Sequence, residues 1–433
     1  MPAKRATETP TLLERRKAVL GPHSPLFYDE PLELVSGKGV WLKSAAGERY
    51  LDAYNNVPHV GHGHPKVATA IAQQMRKLAI NTRYLNNRVV DYAEALLAEF
   101  HASLDRVAFV NSGSEANELA IRVARFHSGN TGIIMSDFSY HGTTLTLAQL
   151  TTGLTTSEKR GRNIRTIRIP DATGLNKTQA KQLLKDSLAE VDAAIASLQK
   201  AGFGVAATIL DPLFSTEGLV VPPAGYIEGL VKRVHKAGGL YVADEVQSGF
   251  GRIGRLMWGH ELFDAVPDIV TMGKPMGNGH PIGAAVMRAD LLEPFGAANM
   301  YFNTFAGNPV SSAAGHAVLQ VMEEEGLRAR ATELGAHLQT ELTRELEGNP
   351  RIDGGARGDG LFAGMRFVDP ETGKPDAATT KQVVEAMYKD HVLISRIGRD
   401  DNVLKVRPPL AVERKDIDLL IDKLTKVIRG LDA

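Results

Sequence analysis

Apolar residues in this chain gather into short continuous runs in its middle and into spaced, one-sided patterns elsewhere. Leu240–Ala243, Asp268–Met272 and Ile282–Met287 are unbroken runs bounded by charged residues or glycine, the pattern of strands buried on both faces. Arg106–Asn111, Gly132–Met135 and Val205–Leu210 read the same way. Between them lie helical periodicities at Glu115–His127, Gly225–Ala237 and Pro309–Glu325. Alternating strand and helix predicts an α/β unit with a mixed, mostly parallel sheet. Before it, a polar segment over residues 1–25 holds a short helical pattern at Thr11–Val19. Leu32–Leu51 then alternates and turns at Gly37–Gly39 and Gly47–Glu48, as a small β-meander does, and a helix follows to about Leu78. Beyond Gly326 the texture changes to helix, strand (Leu361–Val368), helix (Lys381–Asp390), two short strands (Val392–Ser395, Val403–Val406) and a last amphipathic helix from Glu413 to about Gly430. These patterns divide the chain into residues 1–60, a large domain over 61–326, and 327–433. The first and last together are expected to build a smaller α+β domain.

Composition narrows the class. The 433 residues are too many for one ordinary core, and 43% apolar with 23% charged residues is ordinary for a globular enzyme. Fifty basic against fifty acidic side chains give no net charge, and no basic block interleaves with aromatics, which argues against a nucleic-acid partner. The absence of cysteine excludes disulfides and thiolate chemistry. No apolar span is long enough to cross a bilayer, and Met1–Arg5 lacks the apolar core of a signal peptide. A soluble cytoplasmic enzyme is expected.

The candidate chemistry sits at strand ends. Asp244 closes the Leu240–Ala243 run, and Lys274 follows the Asp268–Met272 run by way of Gly273. Open α/β sheets bind ligands at such ends. Taken singly, the aspartate reads as a helix cap and the lysine as a solvated amine. Taken together they suit pyridoxal phosphate: a lysine can form a Schiff base with its aldehyde, and a carboxylate keeps its pyridinium nitrogen protonated. The stretch Asp244-Glu245-Val246-Gln247-Ser248-Gly249-Phe250-Gly251-Arg252-Ile253-Gly254, followed by Gly273-Lys274, resembles the class III, fold type I pyridoxal-phosphate enzymes, the group of ornithine and 4-aminobutyrate aminotransferases. The resemblance implies that Lys274 carries pyridoxal 5'-phosphate, that Asp244 faces its ring nitrogen, that Val246 packs on one ring face, and that Gln247 bonds its phenolic oxygen.

Other stretches follow the same family. Ser112-Gly113-Ser114-Glu115-Ala116-Asn117 lies between a strand and a helix, where backbone N–H groups and the helix dipole favour an anion. On spacing alone, Ser112 and Glu115 fit a plain capping box equally well. The resemblance makes this the cofactor-phosphate loop. It also places Tyr140, before His141-Gly142, against the other ring face. Thr304, in Thr304-Phe305-Ala306-Gly307-Asn308-Pro309, would reach a partner's cofactor phosphate, which implies a homodimer with shared active sites and leaves dimer or tetramer open. His59, His62 and His64 have no zinc-site spacing, and no metal is expected.

The substrate side departs from ordinary aminotransferases. Where the family holds a carboxylate with the arginine of R-x-x-P-P-L, this chain has Lys405-Val406-Arg407-Pro408-Pro409-Leu410. Lysine is a point charge, not a bidentate fork. The family's E-P-x-x-x-E-G-G becomes Asp211-Pro212-Leu213-Phe214-Ser215-Thr216-Glu217-Gly218, with Glu217 one step out of place. These departures, with Asn55-Asn56-Val57-x-His59-Val60-Gly61-His62 in place of an apolar segment, resemble the branch of phospho-lyases acting on O-phosphoethanolamine and 5-phosphohydroxylysine. That branch implies β-elimination of phosphate from a small phosphorylated amine, yielding acetaldehyde and ammonia in the first case. Tyr54, Asn55, Asn56, His59, Lys405 and Arg407 are the expected substrate contacts, the last two on one face if their segment is a strand. The competing expectations are an aminotransferase acting on an amine or ω-amino acid, with Arg407 gripping a carboxylate, and a non-catalytic relative.

Overall fold

The structure, a computed structural model, describes residues 10–432; the polar opening at residues 1–9, including Met1–Arg5, lies outside the described residues. The chain begins with α1 (Leu12–Leu20), the meander β1 (Leu34–Lys38), β2 (Trp41–Ser44) and β3 (Arg49–Asp52), and the helices α2 (Pro65–Lys77) and α3 (Asn87–Leu97). Strands and helices then alternate. They are β4 (Arg106–Val110), α4 (Gly113–Ser128), β5 (Ile133–Ser136), α5 (Leu145–Ala148), β6 (Ile164–Ile167), α6 (Lys177–Lys200), β7 (Ala207–Leu210), α7 (Tyr226–Lys236), β8 (Leu240–Asp244), β9 (Ile269–Met272), β10 (Gly283–Met287), α8 (Ala289–Ala298) and α9 (Pro309–Glu324). The chain ends with α10 (Leu327–Glu345), β11 (Arg357–Asp359), β12 (Phe362–Arg366), α11 (Ala377–Lys389), β13 (Val392–Leu393), β14 (Ser395–Ile397), β15 (Val403–Val406) and α12 (Arg414–Arg429).

Seven strands form one sheet in the order β4-β10-β9-β8-β7-β5-β6. Every strand is parallel to the rest except β10, which runs antiparallel to both neighbours. Strands β5, β7, β8, β9 and β10 are buried throughout, as their uninterrupted apolar runs require once helices cover both faces. Parallel neighbours deliver their C-terminal ends to one edge. The residues after β4, β5, β7, β8 and β9 therefore meet there, and the reversed β10 begins at the same edge. Asp244 pairs with Thr271 in register, so the ends of β8 and β9 are adjacent.

The elements that go beyond those the periodicity predicts include α3, β6, α6 and α8. Strand β6 is the sheet edge, with Arg165 and Thr166 only partly buried, so its sequence lacks a continuous apolar run. Helix α8 carries Pro294 in its interior, a residue that ordinarily ends a helix. Helix α6 exposes most of its 24 residues and starts from an Asn176/Gln179 capping box rather than from an apolar signal.

Two smaller sheets flank the large one. The meander takes β13 beside β3 in parallel, joining the N-terminal and C-terminal segments in the order β1-β2-β3-β13. The other has the order β11-β12-β15-β14 and presents Lys405 and Arg407 at and just beyond the end of β15. Among the described residues no helix is long and apolar enough to cross a membrane.

Candidate active site

Asp244 is held before it meets any ligand. Oδ2 accepts from Asn117 Nδ2 at 2.8 Å and from His141 Nδ1–H at 2.8 Å, and Oδ1 accepts from the Val246 amide at 3.1 Å. Asn117 is oriented in turn by the Thr271 hydroxyl, which donates to its carbonyl oxygen. The next residue, Glu245, is fully buried. It accepts from Ser248 Oγ, the Gly259 and His260 amides and His260 Nδ1 at 2.6–2.8 Å, fixing the turn that presents Val246 and Gln247.

Lys274 follows β9 across the same edge. Its side chain is open to the cleft, yet protein surrounds the cleft closely. Burial, and then the cationic Arg407, lower its ammonium pKa, against weaker pulls upward from Asp244 and Asp211. A lowered lysine pKa favours the free amine needed for bond formation and proton abstraction.

The cavity between these groups has a volume of about 290 Å³ and is lined by Ser112, Gly113, Ser114, Tyr140, His141, Asp244, Val246, Gln247 and Lys274 among others. A larger cavity of about 710 Å³ lies between α6 and the β14–β15 turn, but no lysine or histidine lines it, so chemistry and not volume identifies the site. Ser112 caps α4, accepting from the Glu115 amide at 3.2 Å. The reciprocal half of the capping box does not form: Glu115 reaches instead to the Asn111 amide at 2.9 Å and to Asn303 Nδ2 at 2.8 Å. The first-turn amides of Gly113 and Ser114 thus have no intrahelical acceptor and open on the cavity. A Cβ on Gly113 would stand 2.7 Å from Val246 Cγ2, and one on Gly142 (φ +136°) 2.5 Å from Ser114 Oγ, so both glycines admit a close backbone approach. His141 Nε2 is buried without a hydrogen-bond partner. An anion cradle, a fixed carboxylate, a lysine of lowered pKa and an orphaned imidazole nitrogen on one cavity fit pyridoxal phosphate.

Behind Gln247 stand two buried cations. Lys405 and Arg407 are 6% and 3% exposed, and both donate to Gln247 Oε1, Lys405 at 3.0 Å. Gln247 Nε2 donates to Ser215 Oγ, whose hydroxyl donates to Asp211. Among the described residues neither cation has an ion-pair partner; each lies instead over the rings of Tyr54 and Phe362 at 5.2–5.9 Å. Burial and their mutual repulsion lower the Lys405 pKa far, while burial brings the Arg407 pKa down to about 10.

The other expected substrate residues divide. Tyr54 packs beside the cations, with its carbonyl accepting from Arg407 Nε at 3.2 Å. Asn56 is buried and donates to the Val246 carbonyl at 3.4 Å. Asn55 and His59 spend their side-chain hydrogen bonds within the protein and do not line the cavity. The Asn55 amide is spent on both oxygens of Asp52 at 3.1 Å, which makes it a turn residue. His59 lies 1% exposed between the Phe250 carbonyl, 2.6 Å from Nε2, and Arg252. His62 goes to Asp52 and His64 to Glu325, so the three histidines have three separate partners. Thr304 is exposed and outside the cavity of its own chain.

Burial and Arg252 push the His59 pKa down to about 3, so the folded protein holds it neutral while the unfolded chain protonates it near pH 6.5. Stability that is intact above pH 6.5 is therefore lost as pH falls toward 3. The expected loss from this group is about 2 kcal/mol at pH 5. Urea unfolding between pH 7 and 5 checks it: His59→Gln should flatten the acid decline, and an unchanged slope would refute it.

Sequence reasoning passed over Asn117, Asp211 and Ser215. Asn117 stands inside the quoted phosphate-loop motif, one helical turn from Ser114, and that spacing was the available signal. Asp211 and Ser215 stand inside the quoted Asp211–Gly218 stretch, but their buried link to Gln247 joins segments distant in sequence and is not carried by that motif. Glu217 is enclosed, and burial with Asp211 nearby raises its pKa to about 8.

The fold and this cavity define a fold type I pyridoxal-phosphate-dependent enzyme. The class III aminotransferase family model matches residues 28–428, and the chain belongs to that family. Among its relatives, a phospholyase from Arthrobacter, solved in complex with phosphoethanolamine, superposes with a TM-score of 0.96 at 56% identity, covering 97% of this chain and 100% of that one. An alanine–glyoxylate aminotransferase 2-like protein of Drosophila melanogaster is 40% identical over 95% of this chain and 85% of its own length. Ethanolamine-phosphate phospho-lyase homolog 1 of Caenorhabditis elegans is 35% identical over 96% of this chain and 93% of its own.

Proposed function

We propose that the chain is a phospho-lyase that eliminates phosphate from O-phosphoethanolamine or a similar small phosphorylated amine. The observation that carries this reading is the pair of buried cations, Lys405 and Arg407, turned on one neutral oxygen with no carboxylate in an ion pair. Desolvated positive charge is unfavourable until an anion arrives, and a phosphate monoester brings about 1.5–2 negative charges at neutral pH. The phosphoethanolamine complex of the Arthrobacter relative supports the same substrate class.

Bound pyridoxal phosphate supplies an electron sink for the carbon next to the substrate nitrogen. The protein's own residues do the rest. Gly113 and Ser114 amides hold the cofactor phosphate, and Asp244, fixed by Asn117 and His141, faces the ring nitrogen. Lys274, as the free amine, removes the proton from the carbon next to nitrogen. Lys405 and Arg407 draw the substrate phosphate toward Gln247, which places the carbon–oxygen bond to be broken beside them. Exposed Thr304, tied to the phosphate loop through neighbouring Asn303, supports a homodimer in which it completes the partner's site.

An aminotransferase is the second reading, favoured by Arg407 as a carboxylate partner and by relatives named for that activity. The two separate cleanly in one assay, because a lyase needs no amino acceptor. Cofactor-loaded protein with O-phosphoethanolamine and no keto acid should release phosphate and acetaldehyde in equal amounts over many turnovers. If release appears only with a keto acid, or not at all, the lyase reading falls.

A further inference from the structure

We propose that Lys405 is the general acid that protonates the departing phosphate, a role that rests on the lyase reading above. An alkyl phosphate whose second pKa is about 6 is a dianion at neutral pH, so breaking its carbon–oxygen bond without a proton would release a trianion into a buried site. With Lys405 as donor, the electron pair of the breaking bond goes to the ester oxygen, and a proton passes from Lys405 Nζ to a phosphate oxygen. The products at that point are hydrogen phosphate dianion and a neutral lysine. The electrons left by the proton that Lys274 removes form the new carbon–carbon double bond. Solvent entering with product release returns the proton to Lys405.

Geometry sets Lys405 and Arg407 on the same Gln247 oxygen, and the chemistry of the two head groups selects Lys405 as the donor. Its ammonium carries three donor protons, and the 3.0 Å bond to Gln247 Oε1 at the cavity wall is the hydrogen bond the structure gives it. Around it stand Arg407 just beyond its own strand, Lys274 after β9, Asp211 after β7, the neutral Gln247 after β8, and the rings of Tyr54 and Phe362. Burial, Arg407 and Lys274 all favour loss of its proton, and Asp211 alone opposes it. Arg407 remains charged through the working pH range and serves as the anchor. The departure from arginine at position 405 then has a chemical reason: a guanidinium binds phosphate but does not give up a proton.

The test compares two leaving groups on the cofactor-loaded protein: O-phosphoethanolamine and its sulfate analogue, 2-aminoethyl hydrogen sulfate, whose sulfate departs as a dianion without a proton. Lys405→Arg keeps the charge and should lower kcat for the phosphate ester by about 100-fold with KM little changed. Its loss of kcat for the sulfate ester should be at least about tenfold smaller than for the phosphate ester. A second reading needs no variant: the unaltered protein should show a normal solvent deuterium isotope effect with the phosphate ester and lose rate as pH rises and Lys405 deprotonates, well below the range of an ordinary lysine. Equal losses on the two esters, or no isotope effect on phosphate release, would overturn the assignment. Absence of phosphate release from the unaltered protein would instead refute the lyase reading itself, so the two failures are distinguishable.

Discussion

Lys274→Ala is expected to abolish turnover, with phosphate release falling by at least about 10³-fold, because in the proposed mechanism one side chain both carries the cofactor and moves the substrate proton. The visible absorbance of the bound cofactor should disappear with it. Fold stability should change little, since the side chain stands open in the cleft and forms no hydrogen bond or ion pair in the structure. Phosphate release, the absorption spectrum and a thermal melt on the same preparation check this. A variant that kept a tenth of the parent rate would place the chemistry on another residue.

Asp244→Asn should cost about 10²–10³-fold in kcat, the scale of removing one preorganised electrostatic contact in a closed site. The change is nearly isosteric but removes the charge proposed to keep the ring nitrogen protonated. It also leaves two donors, Asn117 Nδ2 and His141 Nδ1–H, aimed at one amide. The loss should fall on kcat more than on KM, because on the proposed reading the substrate's phosphate is held elsewhere, by Lys405 and Arg407. Steady-state kinetics with a cofactor titration separates the two, and a loss confined to cofactor affinity would refute the ring-nitrogen role.

Much of this site was legible before any coordinate. The buried runs ending in Asp244 and Gly273 mark parallel strands by composition alone, and parallel strands bring their ends to one edge whatever the rest of the chain does. The loop Ser112–Ser114 was readable as a helix start, though not as to whether Glu115 would complete a capping box or reach to Asn111. The large sheet's interior was predicted where strands are buried on both faces and missed at the exposed edge β6. Helix α8 was hidden by Pro294 in its interior.

Local pattern alone was enough to place Asp244 and Lys274, the candidate catalytic groups, at one sheet edge, because strand composition and the alternation of strand with helix are local properties. That Lys405 and Arg407 share a face also follows from the two-residue period of a strand. Only the tertiary structure decided that this face turns toward Gln247. That depends on β15 packing between β12 and β14, a pairing of segments distant in sequence. It likewise decided that Asn55 folds back on Asp52 and that His59 disappears beneath Phe250 and Arg252. A short polar segment such as Asn55–His59 carries no periodicity to say which side chains face a cavity; neighbouring buried acceptors claim those donors first, because leaving any of them unpaired in the interior costs about 1–3 kcal/mol.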